Sequence, residues 1–303
     1  MNILLTGSSG FIGKFLLKNK DIHRVVTRDK SKESQNSFYV DSFCSETNWE
    51  GAFSNIDCII HLAGIAHKKA VIENDYFKVN TQGTLKLAND AVKAGVKRFV
   101  FVSSIGVNGL STESGTQFSS LSEVEPHNVY AKSKLDAEIG LQKLAKETGL
   151  EIVIVRPTLV YGQDAPGNFG LLTKVVTKLP LLPFGLVNNK RSFIAVQNLV
   201  DLLLVCANHP KAAGNTFLAS DGLPISTKDF TNALAKGLDK SIYQLPVPTS
   251  LIYLGAKLIA KQSMAEQLLG NLEVDSSNTF DLLGWTPPYS MEQAMSLLSK
   301  ELK

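Results

Sequence analysis

The stretch "NILLTGSSGFIG", residues 2–13, decides the fold. A short apolar run stops at a turn carrying Gly7, Gly10 and Gly13, and "FIGKFLLKN" (11–19) continues with helical spacing, which reads as strand, turn, helix. Glycines at these places let backbone come close to a diphosphate, and a helix N-terminus offers it unpaired N–H groups. A glycine triplet also makes plain tight turns, so its context carries the weight.

Outward from that turn, "HRVVTR" (23–28), "SFYV" (37–40), "DCIIHLAG" (57–64), "RFVFVSS" (98–104) and "EIVIVRP" (151–157) are further strand-like runs. Helical patterns separate most of them, notably 75–94 and 130–148. Such alternation, with strands apolar on both faces, predicts an α/β fold: a doubly wound parallel (Rossmann) sheet. Residues 1–160 are read as its dinucleotide-binding core, and 161–303 as a smaller, mainly substrate-binding α/β part with segments such as "NTFLAS" (215–220) returning to the sheet. Residues 163–193 read as loop and short helix. The 249–262 helix, lacking a dense basic face, is expected to pack its apolar side on a domain instead of lying on a membrane.

Composition excludes several classes. The chain has 303 residues, 44% of them apolar, and a formal charge of +3 without a run of five or six like charges. Neither a nucleic-acid arm nor a membrane patch is expected. The opening residues carry no basic leader or cleavage site, and the longest apolar runs are too interrupted to span a bilayer, so a cytoplasmic protein is expected. Cys44, Cys58 and Cys206 form no paired framework and no metal-like spacing, and Cys58 reads as a small core residue. His61, His67 and His127 match no metal motif, and no metal site is expected.

Cofactor choice is read at the end of the second strand, where a carboxylate suits a ribose 2′-hydroxyl and an arginine suits a 2′-phosphate. Here "VVTRDK" sets Arg28 beside Asp29, and both NAD and NADP remain open. Asp41, after the third strand, could accept from the adenine amino group.

"YAKSK" supplies the reactive pair. Tyr130 and Lys134, four positions apart, fall on one helical face. A free phenol titrates near 10, and an adjacent ammonium and an oxidised nicotinamide both favour its phenolate, within reach of acid/base work. Ser104 closes an apolar strand at the carboxyl edge of the sheet, where ligands of doubly wound folds bind. Singly, each has a structural explanation: a helix cap, a strand-end hydroxyl, a solvent-facing lysine. Together with the glycine turn they form a catalytic candidate.

In combination, "TGSSGFIG", "HLAG" (61–64), "VNTQGT" (79–84), "FVSSIGVNG" (101–109), "YAKSK" (130–134) and "RPTLVYG" (156–162) occur in the order and spacing of a known family. With "RSFIAVQNLVD" (191–201) and "LGWTPP" (283–288), the chain resembles, almost end to end, the extended short-chain dehydrogenases/reductases, in their nucleotide-sugar epimerase and reductase branch of UDP-glucose 4-epimerase type. The resemblance implies that Tyr130 transfers the proton, with Lys134 its helper and Ser104 bonded to the reacting oxygen. It implies NAD or NADP bound along Gly7, Gly10, Phe11, Ile12 and Gly13, then Leu62, Ala63 and Gly64, with Asn80 and Lys134 lining the channel, Pro157 by the nicotinamide, and Arg28 and Asp41 at the adenosine end. Arg191 would pair with the substrate diphosphate, as a planar guanidinium suits, and Asn168, or Asn188 and Asn189, could supply a polar contact in place of the asparagine that many relatives carry where this chain has Leu159. A homodimer through the two long helices is also implied.

Departures narrow the reaction. Ile105 and Gly106 follow Ser104 where dehydrating relatives carry an acidic pair, so elimination of water is disfavoured. What remains is redox at a sugar carbon: 4-epimerisation of a UDP-hexose or UDP-N-acetylhexosamine, or NADPH-dependent reduction of a UDP-4-keto-6-deoxy sugar. A non-catalytic sensor of the NAD(P) ratio would be expected to have lost Ser104, Tyr130 or Lys134, and all three are present.

Overall fold

The first half of the chain alternates strand and helix about one buried strand. In order come β1 (Ile3–Thr6), α1 (Phe11–Leu16), β2 (Ile22–Thr27), β3 (Ser37–Tyr39) and β4 (Cys58–His61). Then α2 (Glu73–Tyr76) passes through a π-helical stretch, Phe77–Gly83, into α3 (Thr84–Lys93), followed by β5 (Arg98–Val102), α4 (Val129–Thr148) and β6 (Glu151–Pro157). The computed structural model describes residues 1–66, 72–258 and 261–300. His67 lies outside the described residues.

The second half adds β7 (Leu159–Tyr161), α5 (Gly167–Lys178), β8 (Leu181–Leu182), β9 (Phe193–Ala195), α6 (Val196–Asn208) and β10 (Thr216–Ala219). After these come α7 (Thr227–Gly237), β11 (Tyr243–Gln244), α8 (Thr249–Leu258), α9 (Gln262–Leu269), α10 (Ser277–Leu283) and α11 (Met291–Lys300).

Seven strands form one sheet in the order β10-β6-β5-β4-β1-β2-β3, every pairing parallel. This is the doubly wound sheet that the sequence predicts. Both faces are covered, which explains the continuous apolar strands. On one face, Leu87, Ala91, Leu141 and Leu144 from α3 and α4 pack on Ile59, Phe99 and Ile152. On the other, Leu199, Leu202, Leu203 and Cys206 from α6 meet Ile3, Leu5, Val100 and Val153. Asn128 caps α4 by accepting from the Ala131 N–H, and Gly149, at φ 77°, ends it in the left-handed conformation that glycine adopts without a Cβ penalty.

Strand order reverses at β1, between β4 on one side and β2 on the other, so the carboxyl ends of β1, β4, β5 and β6 open one crevice. A third apolar cluster joins α5, α7, α9 and α11 beside that crevice. Residues 163–193, read from sequence as loop and short helix, in fact hold a 12-residue helix and the two-stranded pairing of β8 with β11. Of the helix read over 249–262, α8 covers Thr249–Leu258, and positions 259–260 lie outside the described residues. Among the described residues, Ile252 and Ala256 of α8 pack on the third cluster, while Leu251, Leu254 and Leu258 face solvent. With apolar residues on nearly all sides of this helix, periodicity could not name one buried face.

Candidate active site

Gly7 sits at φ 73°, and a Cβ there would stand 2.8 Å from the Ala63 nitrogen. At Gly13 it would stand 2.2 Å from the Gly7 carbonyl oxygen. The turn therefore closes only with glycine, and it stacks the β1 end directly on the β4 end. Its bare backbone forms one wall of a cavity of about 420 Å³. Gly7, Gly10, Phe11, Ile12 and Gly13 line that wall, with Leu62 and Gly64 from the neighbouring strand end. Ser104, Tyr130, Lys134 and Pro157 line the next part, and Asn168 and Arg191 lie further along. A mostly apolar cleft walled by a side-chain-free turn suits a flat dinucleotide and its diphosphate.

Tyr130 and Lys134 lie on the first two turns of α4, as their spacing predicts. The Lys134 ammonium donates to the Val102 carbonyl at 2.9 Å and stands 4.5 Å from the Phe101 ring centre. Burial pulls it down to about 8, against the opposing pull of the Glu138 carboxylate. The Tyr130 phenol is raised by burial to about 12, while neighbouring Ser104 acts to lower it. Burial thus outweighs the Ser104 hydroxyl, and phenolate is not favoured as the sequence reading expects. The lysine's charge is turned to the strand end.

Ser104 follows β5 and accepts from the Gly106 N–H at 3.1 Å, which fixes a short turn over 105–107. His127 packs on this turn: Nδ1 donates to the Gly106 carbonyl at 3.2 Å, and Nε2 accepts from the Asn128 amide at 2.7 Å. Both bonds fit the neutral Nδ1–H tautomer. Arg156 in β6 ties the two reactive elements together. Its guanidinium donates to both Glu138 oxygens, at 3.0 and 2.5 Å, and to Asn108 Oδ1 at 3.0 Å, all buried. Tyr130, Lys134 and Glu138 are successive i, i+4 neighbours on α4, whereas Asn108 closes the Ser104 turn. One buried arginine therefore holds serine and tyrosine in register.

Other expected residues fall elsewhere. Asn80 is fully buried behind the cavity and does not line it. Its amide brackets the Ile65 backbone at 2.8 and 3.0 Å and donates to Ser133 Oγ at 3.0 Å, pinning the turn after β4 to α4. Ala63 turns its N–H to Thr6 Oγ1 at 3.1 Å. Arg28 and Asp41 are exposed beyond β2 and β3, outside the cavity wall, and Asp41 accepts from the Tyr39 hydroxyl at 2.5 Å. Asp29 accepts from the Ser31 N–H at 3.1 Å and its hydroxyl at 2.6 Å and pairs with Lys32 at 3.4 Å. Its carboxylate faces its own turn.

Arg191 is buried, pulled down to about 10 by that burial, and donates to the Gly270 carbonyl at 2.8 Å. Asn168 donates to Gln267. Asn189 spends its amide nitrogen on Thr227, Leu268 and Gly270. Thr227, Gln267 and Leu268 line the far end of the cavity, and no local sequence signal marks them. His61 bridges Thr6 and Thr84 at 2.6 and 2.8 Å, and burial holds it neutral, well below the usual histidine range. Among the described residues no cluster of histidine, cysteine and carboxylate could hold a metal, and no helix is long and apolar enough to cross a membrane.

The chain is 41% identical over 303 aligned residues, 96% of its length and 92% of the relative's, to a UDP-glucose 4-epimerase of Vibrio cholerae. Among solved structures, the UDP-glucuronic acid 4-epimerase of Bacillus cereus in complex with NAD superposes with a TM-score of 0.76 at 20% identity, covering 99% of this chain and 98% of that one. The UDP-glucose 4-epimerase of Thermotoga maritima with UDP-glucose gives 0.74 at 21% identity, covering 98% and 97%. The model of the NAD dependent epimerase/dehydratase family matches residues 3–219, from β1 through β10. With the glycine turn, the Ser104 turn and the Tyr130–Lys134 helix all inside that span, the chain is an enzyme of the NAD dependent epimerase/dehydratase family.

Proposed function

We propose that this enzyme carries out redox at C4 of a nucleotide sugar, with 4-epimerisation of a UDP-hexose or UDP-N-acetylhexosamine as the reading best supported. One observation carries it: Ser104, Tyr130 and Lys134 share one cavity with the glycine turn, in a chain 41% identical to a protein named UDP-glucose 4-epimerase. The glycine turn, Leu62, Gly64 and Pro157 would hold NAD or NADP, which supplies a hydride acceptor and donor. Tyr130 as phenolate would accept the proton from O4 and as phenol return it, and the Ser104 hydroxyl would bond the same oxygen. Lys134, held by the Val102 carbonyl one helical turn from Tyr130, would favour the phenolate by its charge. Asn168 and Arg191 would meet the sugar diphosphate. Two such chains would pair through α3 and α4 as a homodimer.

A specific observation favours a second reading, reduction of a UDP-4-keto-6-deoxy sugar by NADPH. The Asp29 carboxylate is engaged by Ser31 and Lys32, while Arg28 beside it is exposed. That arrangement suits a 2′-phosphate. The deciding experiment releases and identifies any bound dinucleotide, then incubates native enzyme with UDP-galactose and UDP-N-acetylgalactosamine without added cofactor, reading products by NMR. Conversion to the C4 epimer is expected. No epimer, together with NADPH consumption only on a 4-keto sugar, would replace the epimerase by the reductase.

A further inference from the structure

We propose that His127, in its neutral form, is a positioning residue of the reactive set: it ties the Ser104 turn to the cap of the helix that carries Tyr130, and its protonation loosens that tie. The proposal rests on the reading of Ser104 and Tyr130 as the reactive pair. An unbroken chain of bonds runs between them. The Gly106 N–H bonds Ser104 Oγ at 3.1 Å, and the carbonyl of the same residue accepts from His127 Nδ1 at 3.2 Å. On the other side of the ring, Nε2 accepts from the Asn128 side-chain amide at 2.7 Å, and Asn128 Oδ1 accepts from the Ala131 N–H at 2.8 Å, beside Tyr130. The ring has room for this because residue 106 is glycine: a Cβ there would stand 2.9 Å from His127 Cε1. Ser104, Gly106, His127, Asn128 and Tyr130 all line the cavity, so the tie borders the space in which substrate would lie.

Donors and acceptors fix the protonation state. A carbonyl at Nδ1 requires a hydrogen there, and an amide N–H at Nε2 requires a lone pair, so only the neutral ring makes both bonds. Protonation puts a hydrogen on Nε2 as well. Asn128 must then turn its Oδ1 toward the ring, which takes the acceptor away from the Ala131 N–H, or keep its cap and set two donors face to face. Either way one link is lost, and the first turn of α4, where Tyr130 sits, gives up its side-chain cap or its tie to the Ser104 turn. His127 and Asn128 are exposed and open to solvent protons, whereas the Arg156–Glu138–Asn108 clamp between the same two elements is buried. The turn over 105–107 on which the ring packs carries no ionisable group. The charged groups of the segment leading to His127 are Glu123 and Glu125, both exposed, and the ionisable groups of the first two turns of α4 are Tyr130, Lys132 and Lys134.

Hydrogen–deuterium exchange of the full-length protein, read by mass spectrometry and corrected for the intrinsic pH dependence of exchange, follows the tie without any substrate. The range to cover is about pH 8 to about pH 5.5, which brackets the ordinary histidine value near 6.5. Across it, peptides spanning 129–134 are expected to lose about fivefold in protection, the fold-change that a lost N-cap corresponds to, while those of β5 stay unchanged. The variant H127Q supplies the same donor and acceptor and does not titrate, and is expected to hold its protection throughout. In the epimerase assay, wild-type kcat should fall about fivefold over the same range with KM little changed; H127Q should keep its alkaline value, and H127A should sit at the lowered value at both ends. Equal loss of protection in H127Q and wild type, or an acid limb of the same size in H127Q, overturns the proposal. Failure of the epimerase assay at every pH, with the exchange pattern as stated, would overturn the substrate reading and leave the tie standing.

Discussion

Lys134 and Leu254 both sit on helices, yet the cation is 3% exposed and the leucine 54% exposed. Each inverts the ordinary partition of polar and apolar groups, and such inversions carry more functional information than a core leucine or a surface lysine does. They differ in how they are held. Lys134 is bound to the Val102 carbonyl and feels the Glu138 carboxylate one turn on, so its surroundings fix it. Leu254 has water on its outer side and, within the chain, almost nothing to determine it. The reactive site is thus built by the fold, whereas the outer side of α8 is left to water.

Experiments can break or sharpen this contrast. The largest effect is expected at Tyr130: Tyr130→Phe should lower kcat by up to about 10⁴-fold, the upper range for loss of a positioned proton-transfer group, with stability near wild type. A steady-state assay beside a melting curve checks both. Retention of more than a tenth of the activity would remove Tyr130 from the chemistry.

Next is Glu138→Gln, which leaves the Arg156 charge buried without its partner and should cost about 3–5 kcal/mol in urea unfolding. It should also lower Lys134 further, because the lost carboxylate had opposed the effect of burial. A variant as stable as wild type would mean that the two catalytic elements are held by other contacts.

Third is pH. The folded value for Lys134, about 8, lies below its ordinary 10.5. Below about 8 both folded and unfolded chains carry the charge and the burial penalty is complete; between about 8 and 10.5 the unfolded chain binds the proton more firmly, so this group's contribution to stability rises with pH. Lys134→Met, inactive, should therefore be more stable than wild type by roughly 3 kcal/mol at pH 7, with the gap closing toward pH 10. A gap independent of pH would contradict the buried charge. The smallest effect belongs to the other region: Leu254→Asp should change unfolding stability by less than about 0.5 kcal/mol, and a larger loss would show that the leucine is packed after all.

Legibility in the sequence follows the range of the interactions. The glycine turn, the i, i+4 pair on α4 and the apolar strands are local signals, and β6 begins and ends where "EIVIVRP" does. Asn80 carries a motif that points to the channel, but Ile65 and Ser133 on other elements hold it behind the cavity. Arg191 was recognisable as a cation of the site, but its bond to Gly270 arises across 79 residues. The Arg156–Glu138–Asn108 clamp escaped notice for the same reason: none of the three lies beside another in sequence. For α8, apolar residues extend beyond one face, and only the packing of Ile252 and Ala256 shows which side lies inside.

The seven-stranded sheet has β10, residues Thr216–Ala219, as its edge beside β6, and α6, residues Val196–Asn208, as cover for one face. That connectivity sets a timetable for the chain as it leaves the ribosome. When β6 has emerged, its far side has no partner strand and the apolar face beneath α6 is bare, the condition in which nascent sheets stick to one another. At about 5–20 residues per second, the roughly sixty residues from the end of β6 to the end of β10 take about 3–12 s to appear. Through that interval the half-built sheet is a client for whatever shields apolar surface in the cell, and slow codons between positions 158 and 219 would lengthen its exposure more than slow codons anywhere after it.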